Sequence, residues 1–476
     1  MASSLGSDRR ERTRDRAVRA AVEQGLLSAS EPVVALLDTD GIRASAAALT
    51  SAFAAVTDAP VLHAFAVKAA PLVPVLRLLY EAGLGVEVAS PGELALARAA
   101  GVPPSRTVLD SPAKTPAELR HALALGIAVN ADNLQELARL DALLASAPTA
   151  SPLGLRVNPQ VGAGSIGALS TATATSKFGV ALRDEGAREA VVQAYLERPW
   201  LTRLHTHTGS QGIPLALMAE GVGAAYALAE EINTKAGRQQ IDTLDIGGGL
   251  PVNFASDEET PTYAEYADLL ASTVPGLFDG RYALVTEFGR SLLAKHGTIL
   301  ARVEYTKTSG GRPIAVTHAG VQLATRTVYA PESWPLRILA YDAEGRPRGR
   351  GREEAPEGAV REREAVQEVV VDVVQDVAGP ACFAGDLLAV GRSLPRLRPG
   401  DLVAVPDTGA YYFAHHYAYN SLPRPAVHGF TPTDDGGIAF TTVRRAQTLD
   451  EIVAESGGDR PDVLLRTAPP GDPMGA

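Results

Sequence analysis

Residues 61–90, VLHAFAVKAAPLVPVLRLLYEAGLGVEVAS, decide the fold. They open on an apolar run and enter through Pro71 a stretch with apolar residues at i, i+3 and i+4. They close on a second apolar run. Strand, helix, strand is the unit of parallel β-structure buried on both faces. The alternation continues to about residue 297. Further strand-like runs are TVLDSP (107–112), IAVNAD (127–132), LGLRVNPQV (153–161), LTRLHTHTGS (201–210), TLDIGGG (243–249) and ALVTEFGR (283–290). Eight strands, seven of them followed by a clear helix, point to a closed (β/α)₈ barrel of the TIM type. An open doubly wound sheet is the alternative, because periodicity does not count closure.

After residue 298 the texture changes. GTILARVEY, RPIAVTHAG, AVQEVVVDVV and GDLVAVP are short strand-like runs separated by Gly and Pro. They predict a second, C-terminal antiparallel β-sandwich or barrel domain. The chain therefore divides into an N-terminal extension (1–30), the barrel (31–300) and the β domain (301–456). The charged, Gly/Pro-rich stretch 341–364 is expected to be a mobile insertion, and 457–476 a disordered tail.

The 476 residues are 46% hydrophobic and 21% charged, an ordinary globular balance. A formal charge of −11 argues against nucleic acid or an anionic membrane as partner. No stretch approaches the roughly 20 apolar residues of a bilayer span. The start, MASSLGSDRRERTRDRAVRAAVEQGLL, puts charges where a signal peptide needs an apolar core. With a single cysteine fitting a reducing compartment, the expectation is a soluble, cytoplasmic protein.

Chemistry in such a barrel gathers at the C-terminal ends of its strands. Those ends carry Lys68, Glu87, His205 and His207 followed by Ser210, the run Gly247, Gly248 and Gly249, and Glu287 with Arg290. Taken singly, each has a plain explanation: a solvated lysine, a tight glycine turn, a mutual Glu–Arg pair. Five strand ends of one barrel make coincidence the weaker account. Glycines let backbone N–H groups approach an anion, and Ser210 and Arg290 add donors. Lys68, with an apolar entry, suits imine chemistry if desolvation lowers its pKa. A phosphate cradle, an imine-forming lysine and a carboxylate for a ring nitrogen together specify pyridoxal 5′-phosphate.

These residues sit in motifs that resemble the alanine-racemase-like (fold type III) pyridoxal-phosphate decarboxylases, above all the diaminopimelate and ornithine decarboxylases. FAVKA, SPGELALARAAGVPPSR, KTPAEL, LRVNPQV, SKFGV, LHTHTGSQ, LDIGGGLP, EFGR, GPACFAGD, GDLVAVPDTGAY and YNSLPRP occur in the family's order between about residues 33 and 450. The resemblance implies that Lys68 holds the cofactor as an imine and that the substrate amine displaces it. Glu287 would pair with the pyridine nitrogen and His207 stack on the ring, with Glu87 close by. Ser210, Gly247–Gly249, Arg290 and Tyr411 would hold the phosphate or the substrate carboxylate. Cys382, the only cysteine, would protonate Cα after carbon dioxide leaves. It would reach the site from the partner subunit of a head-to-tail homodimer, whose β domain takes in a strand from the chain's N-terminus.

The sequence departs from the pattern at several points. Phe383 follows the cysteine where diaminopimelate members have Glu, and Asp386 is a candidate substitute contact. Phe288 stands where the family has Pro, and Ala70 where it has Asn. In THAGVQLATRTVYAPESWPLRI, His318 replaces Asp and one residue is missing between Arg326 and Tyr329, two further candidates for substrate binding. The expected activity is amino-acid decarboxylation with an altered substrate wall. Diaminopimelate, ornithine, lysine and arginine are among the candidates. Two alternatives differ in class: a non-catalytic relative that binds a partner protein, and a metal-dependent amidohydrolase using His205 and His207 as a metal pair.

Overall fold

The computed structural model describes residues 2–349 and 372–465. Most of the 341–364 insertion and the last part of the 457–476 tail lie outside the described residues. In chain order the elements begin with α1 (Ala2–Glu23), β1 (Val33–Asp38), α2 (Thr39–Ala54), β2 (Val61–Ala66), α3 (Val73–Glu81), β3 (Gly85–Val88) and α4 (Pro91–Ala99). They continue with β4 (Thr107–Asp110), α5 (Pro116–Leu125), β5 (Ala128–Ala131), α6 (Leu134–Ser146), β6 (Leu153–Asn158), the two-residue β7 (Val180–Ala181) and α7 (Ala187–Glu197). Next come β8 (Leu201–Thr206), α8 (Leu215–Ala236), β9 (Thr243–Asp245), α9 (Tyr263–Thr273), β10 (Ala283–Thr286) and α10 (Arg290–Leu293).

Strands β2, β3, β4, β5, β6, β8, β9 and β10 are parallel, and β10 pairs back onto β2, so the barrel closes. All eight expected runs form its strands. The turns into the helices are written locally. Thr115 caps α5 in a reciprocal box with Glu118, Thr262 does the same with Glu265 for α9, and Ser90 and Asn133 cap α4 and α6.

Inside the barrel the two-residue period of the strands stacks two layers. The lower is apolar, built from Leu62, Ala64, Val108, Ala128 and Val285. Two residues further along the same strands stand Asp110 and Asn130, and with them Glu87, Arg156, His205 and Asp245. Cross-strand register sets His205 beside both Arg156 and Asp245. The ionic layer at the strand ends is thus a property of strand pairing.

The remaining elements are β11 (Gly297–Ser309), β12 (Arg312–Thr317), α11 (Val321–Tyr329), β13 (Leu339–Tyr341), β14 (Asp372–Ala378), β15 (Leu387–Pro395), β16 (Leu402–Pro406), β17 (Val427–Pro432), β18 (Ile438–Arg444) and α12 (Leu449–Glu455). They form a second sheet in the order β15-β14-β12-β11-β1-β17-β18, with β16 on β11 and β13 on β16. The sheet is mixed, not wholly antiparallel as the Gly/Pro spacing suggested. β1 runs parallel to β17, and β12 parallel to β14. Both pairs are joined by long connections, which free them from hairpin geometry. β1 also moves the boundary drawn at residue 31: this strand belongs to the second sheet, and the barrel's first strand begins at Val61.

Helix α1 is held by buried ion pairs. Arg14 donates to both oxygens of Asp257 at 2.7 and 2.9 Å, and Arg337 bridges Asp257 and Asp407 at 2.7 and 2.8 Å. Lys295 lies 3.2 Å from Asp407. This chain of charges ties α1, the loop after β9 and the second domain into one unit. Burial works to raise the pKa of Asp257, but Arg14 and Arg337 outweigh it and hold the carboxyl well below its usual range. A depressed folded pKa gives stability that is present above the unfolded carboxylate value of about 4 and fades as pH falls below it. Asp257→Asn should therefore cost ~3–5 kcal/mol at pH 7, by leaving two guanidiniums facing an amide. Denaturant unfolding of the two proteins should show that gap at pH 7 and a smaller one at pH 3.

Candidate active site

A cavity of about 390 Å³ opens at the C-terminal ends of the barrel strands, bounded on one side by the second domain. Lys68, His207, Ser210, Gly249, Glu287, Arg290, Arg326 and Tyr411 all line it, so most of the residues singled out from sequence meet in one place.

Lys68 follows β2 on a single 3₁₀ turn, and its Nζ sits 2.5 Å from Oε2 of fully buried Glu87. The side chain is 46% accessible, and it lines the cavity. Burial pulls its pKa down, as expected from sequence, but Glu87, Tyr411 and Glu287 outweigh that effect and the net shift is upward. The expectation of a desolvated, readily deprotonated amine is corrected accordingly. Glu87 is itself raised, chiefly by burial and against the pull of Lys68. The second domain braces the same turn: the Tyr411 amide donates to the Ala69 carbonyl at 2.8 Å, and His415 Nε2 lies 2.5 Å from the Lys68 carbonyl. Tyr411 holds this position with φ +66°, a conformation that is strained for a residue with a side chain.

Opposite Lys68 lies an anion receptor. The Arg290 guanidinium stands 4.4 Å from the centre of the Tyr411 ring and 4.7 Å from that of Trp334; for Arg326 the distances are 4.7 and 5.2 Å. Neither arginine makes an ion pair among the described residues, and Arg290 Nε and Nη1 and Arg326 Nη1 are buried without hydrogen-bond partners there. Burial lowers the Arg290 pKa to about 10, and Arg326 adds to the effect. Two buried cations on aromatic faces, with unused N–H groups, suit the phosphate and carboxylate of a doubly anionic guest.

The glycine run plays a different part from the one its sequence suggested. The Gly248 amide donates to His207 Nδ1 at 3.0 Å and the Gly247 amide to Asp245 at 3.2 Å, so both are used inside the protein. Of the three, only Gly249 lines the cavity. The glycines are needed for close approach: a Cβ on Gly248 would overlap the Glu287 carbonyl, and one on Gly249 the Gly209 carbonyl. With Nδ1 accepting, His207 carries its proton on Nε2. Burial, then Arg156 and Lys68, hold its pKa well below the usual value, so the ring is neutral.

Glu287 is fixed on both sides. Its amide donates to the Gly247 carbonyl at 2.7 Å, and Phe288 next to it is buried among Phe53, Tyr263 and Tyr266. Phe288 is thus an anchor for the catalytic turn. Oε2 of Glu287 lies 3.5 Å from His205 Nε2, while Oε1 is buried without a partner. The two histidines do not converge as a metal pair would: His205 lies between Asp110 and Glu287, and His207 is bonded to Gly248.

Besides Glu87, Gly247 and Gly248, four expected residues do not line the cavity. Cys382 is exposed, its amide donating to Asn420 at 2.7 Å. Phe383 and Tyr329 stack at 5.8 Å in an aromatic patch with Tyr417 and Tyr419. Asp386 is buried and accepts from the amides of Val321 at 2.6 Å and Ala381 at 2.7 Å. It therefore shapes the cysteine loop and the start of α11, and both oxygens are taken; the suggested substrate contact is withdrawn. Sequence reasoning passed over Asp110, Arg156 and Trp334. The first two end or approach the ends of strands TVLDSP and LGLRVNPQV, where the strand-end rule applied to Lys68 would have found them. Trp334 comes from the second domain and carries no local signal.

Residues 40–294 match the family described as pyridoxal-dependent decarboxylase, pyridoxal binding domain. A diaminopimelate decarboxylase of Actinosynnema pretiosum is 32% identical over 428 residues, 88% of each chain. One from Pseudomonas fluorescens is 33% identical over 399 residues, covering 83% of this chain and 86% of the relative. The crystal structure of diaminopimelate decarboxylase from Helicobacter pylori complexed with L-lysine shares the fold, with a TM-score of 0.73 at 23% identity over 90% of this chain and 97% of that one.

Gly248→Ala should push the Glu287 carbonyl aside and disturb both the His207 bond and the Glu287 carboxylate. The expected result is a folded protein with a lower melting temperature and at least ~10-fold weaker cofactor retention, measured by absorbance after gel filtration.

Proposed function

Because the chain belongs to the family of pyridoxal-dependent decarboxylases, we propose that it removes the α-carboxyl group of an amino acid of the diaminopimelate type, with a binding wall altered by Phe383. That it is a carboxy-lyase using pyridoxal phosphate follows from the family itself. The observation that carries the rest is one cavity in which an amine, two unpaired guanidiniums and a half-used carboxylate face each other.

The residues fit the cofactor. The unused N–H groups of Arg290, with Ser210 and Gly249, would hold its phosphate. Arg326 and Tyr411 would take the substrate carboxylate. The Glu287 carboxylate would pair with a protonated ring nitrogen. When bound, pyridoxal phosphate supplies an aldehyde for amines and an electron-poor ring that takes up the pair released as carbon dioxide leaves. Lys68 begins as an ammonium, and Glu87, at 2.5 Å and with its own pKa raised by burial, is placed to receive its proton. His207 offers a neutral face and adds no second positive charge beside Lys68. The cations and the glycine-tightened turn are set in place before charge develops and need no rearrangement as it does.

Cys382 is the proton donor to Cα, contributed by a second copy of the chain. Its exposure outside the chain's own cavity, on a patch of Phe383, Tyr329, Tyr417 and Tyr419, supports a head-to-tail homodimer. Phe383 brings an aromatic ring where a carboxylate would meet a distal amino acid group, which favours substrates lacking that group. Among the described residues no helix is long and apolar enough to cross a membrane.

The cofactor-loaded protein should show the absorption band of a lysine imine, and Lys68→Ala should lose it. Absence of the band from fully reconstituted wild-type protein contradicts the proposal. A screen of D- and L-amino acids for carbon dioxide release identifies the substrate, and no release from any of them points to a binding protein. Cys382→Ala should keep the band and lose ~10²–10⁴-fold in turnover; unchanged turnover removes the thiol from the mechanism.

A further inference from the structure

His205 lies at the centre of the barrel's ionic layer and is fully buried. Its Nδ1 is 3.3 Å from Oδ2 of Asp110, and its Nε2 is 3.5 Å from Oε2 of Glu287. The contacts are ion-pair distances without aligned hydrogen-bond geometry, since neither ring nitrogen has a hydrogen-bond partner among the described residues. A neutral imidazole has one N–H and one lone pair. Between two carboxylates, the lone pair would face a buried negative oxygen at one end or the other. Only the imidazolium presents a donor to both.

The charges around it point the same way. Facing His205 are Asp110 on β4, Arg156 on β6, Arg203 on its own strand β8, His207 just after that strand, Asp245 on β9 and Glu287 after β10. Glu87 belongs to the same layer and pairs with Lys68 beyond it. Two of the carboxylates, Asp110 and Glu287, lie within ion-pair distance of the ring, and a proton on His205 gives both a cation. Burial disfavours that proton, yet Asp110, Glu287 and Asp245 outweigh burial and raise the imidazole well above its usual range. His205 thus holds Glu287 through Oε2, while Oε1 is buried without a partner among the described residues.

We propose that His205 is a positioning residue, carried permanently as an imidazolium between Asp110 and Glu287, which fixes from behind the carboxylate that would meet a cationic ring nitrogen. The last clause rests on the cofactor reading above; the imidazolium itself does not. No bond to the substrate is made or broken by this residue, and its proton does not leave.

The test is ¹⁵N NMR of histidine-labelled, full-length protein loaded with pyridoxal phosphate, from pH 6 to pH 9. One of the nine histidines should keep both ring nitrogens protonated across the range, and its signals should vanish in His205→Gln. In Asp110→Asn the same ring should begin to titrate within the range, a fall of about 1–3 pKa units. If His205→Gln does not fold, the wild-type series and Asp110→Asn decide. Neutral shifts for every histidine above pH 8 overturn the proposal. So does a divalent metal bound at one per chain and lost with Asp110→Asn, since the three groups also lie close enough to share an ion. Failure of the cofactor reading would appear separately, as a missing Lys68 imine band with the imidazolium still present.

Discussion

A carboxylate cannot be kept in the dry interior of a barrel without a cation against it, and this chain keeps four. Glu87 leans on Lys68, Asp110 on Arg156 and His205, Asp245 on Arg203 and Asn130, and Glu287 on His205. Several of these partners meet across the barrel interior and not along a strand pair, as Asp110 of β4 meets His205 of β8 and Asn130 of β5 meets Asp245 of β9. Glu87, Asp110 and Glu287 each keep one oxygen without a hydrogen-bond partner. The pairing holds the fold together and leaves these acceptors buried close to the strand ends. Stability and chemistry here depend on the same contacts.

The barrel was legible because its strands are buried on both faces and so appear as unbroken apolar runs, with caps such as Thr115 and Thr262 marking each helix entry. The strand-end residues were legible for a related reason: a lysine or glutamate ending such a run has few plain explanations. What failed to show was long-range. The direction of the Lys68 shift depends on Glu87, Tyr411 and Glu287, drawn from three other segments. Asp386 looked like a free acid beside the cysteine, yet two amides claim it, one of them 65 residues away in sequence. The parallel pairing of β1 with β17 joins the two ends of the chain, which no local pattern encodes.

The departures from the family pattern divide into two kinds. Phe288 fills a nest of aromatic rings and supports the Glu287 turn, so its replacement of proline is a matter of packing. Phe383 lies at the surface beside Tyr329 and Tyr419 and contributes nothing to the core. Packing does not require this change, which stands next to the exposed Cys382.

The bond from the Tyr411 amide to the Ala69 carbonyl, and the contact of His415 with the Lys68 carbonyl, have a mechanical result. The β domain grips the very turn that carries Lys68, once through the Tyr411 backbone and once through the His415 ring. The two halves therefore cannot part like jaws to admit a guest without dragging that amine along. The segment from Ala168 to Phe178 lines the same cavity and, among the described residues, makes no hydrogen bond to that turn.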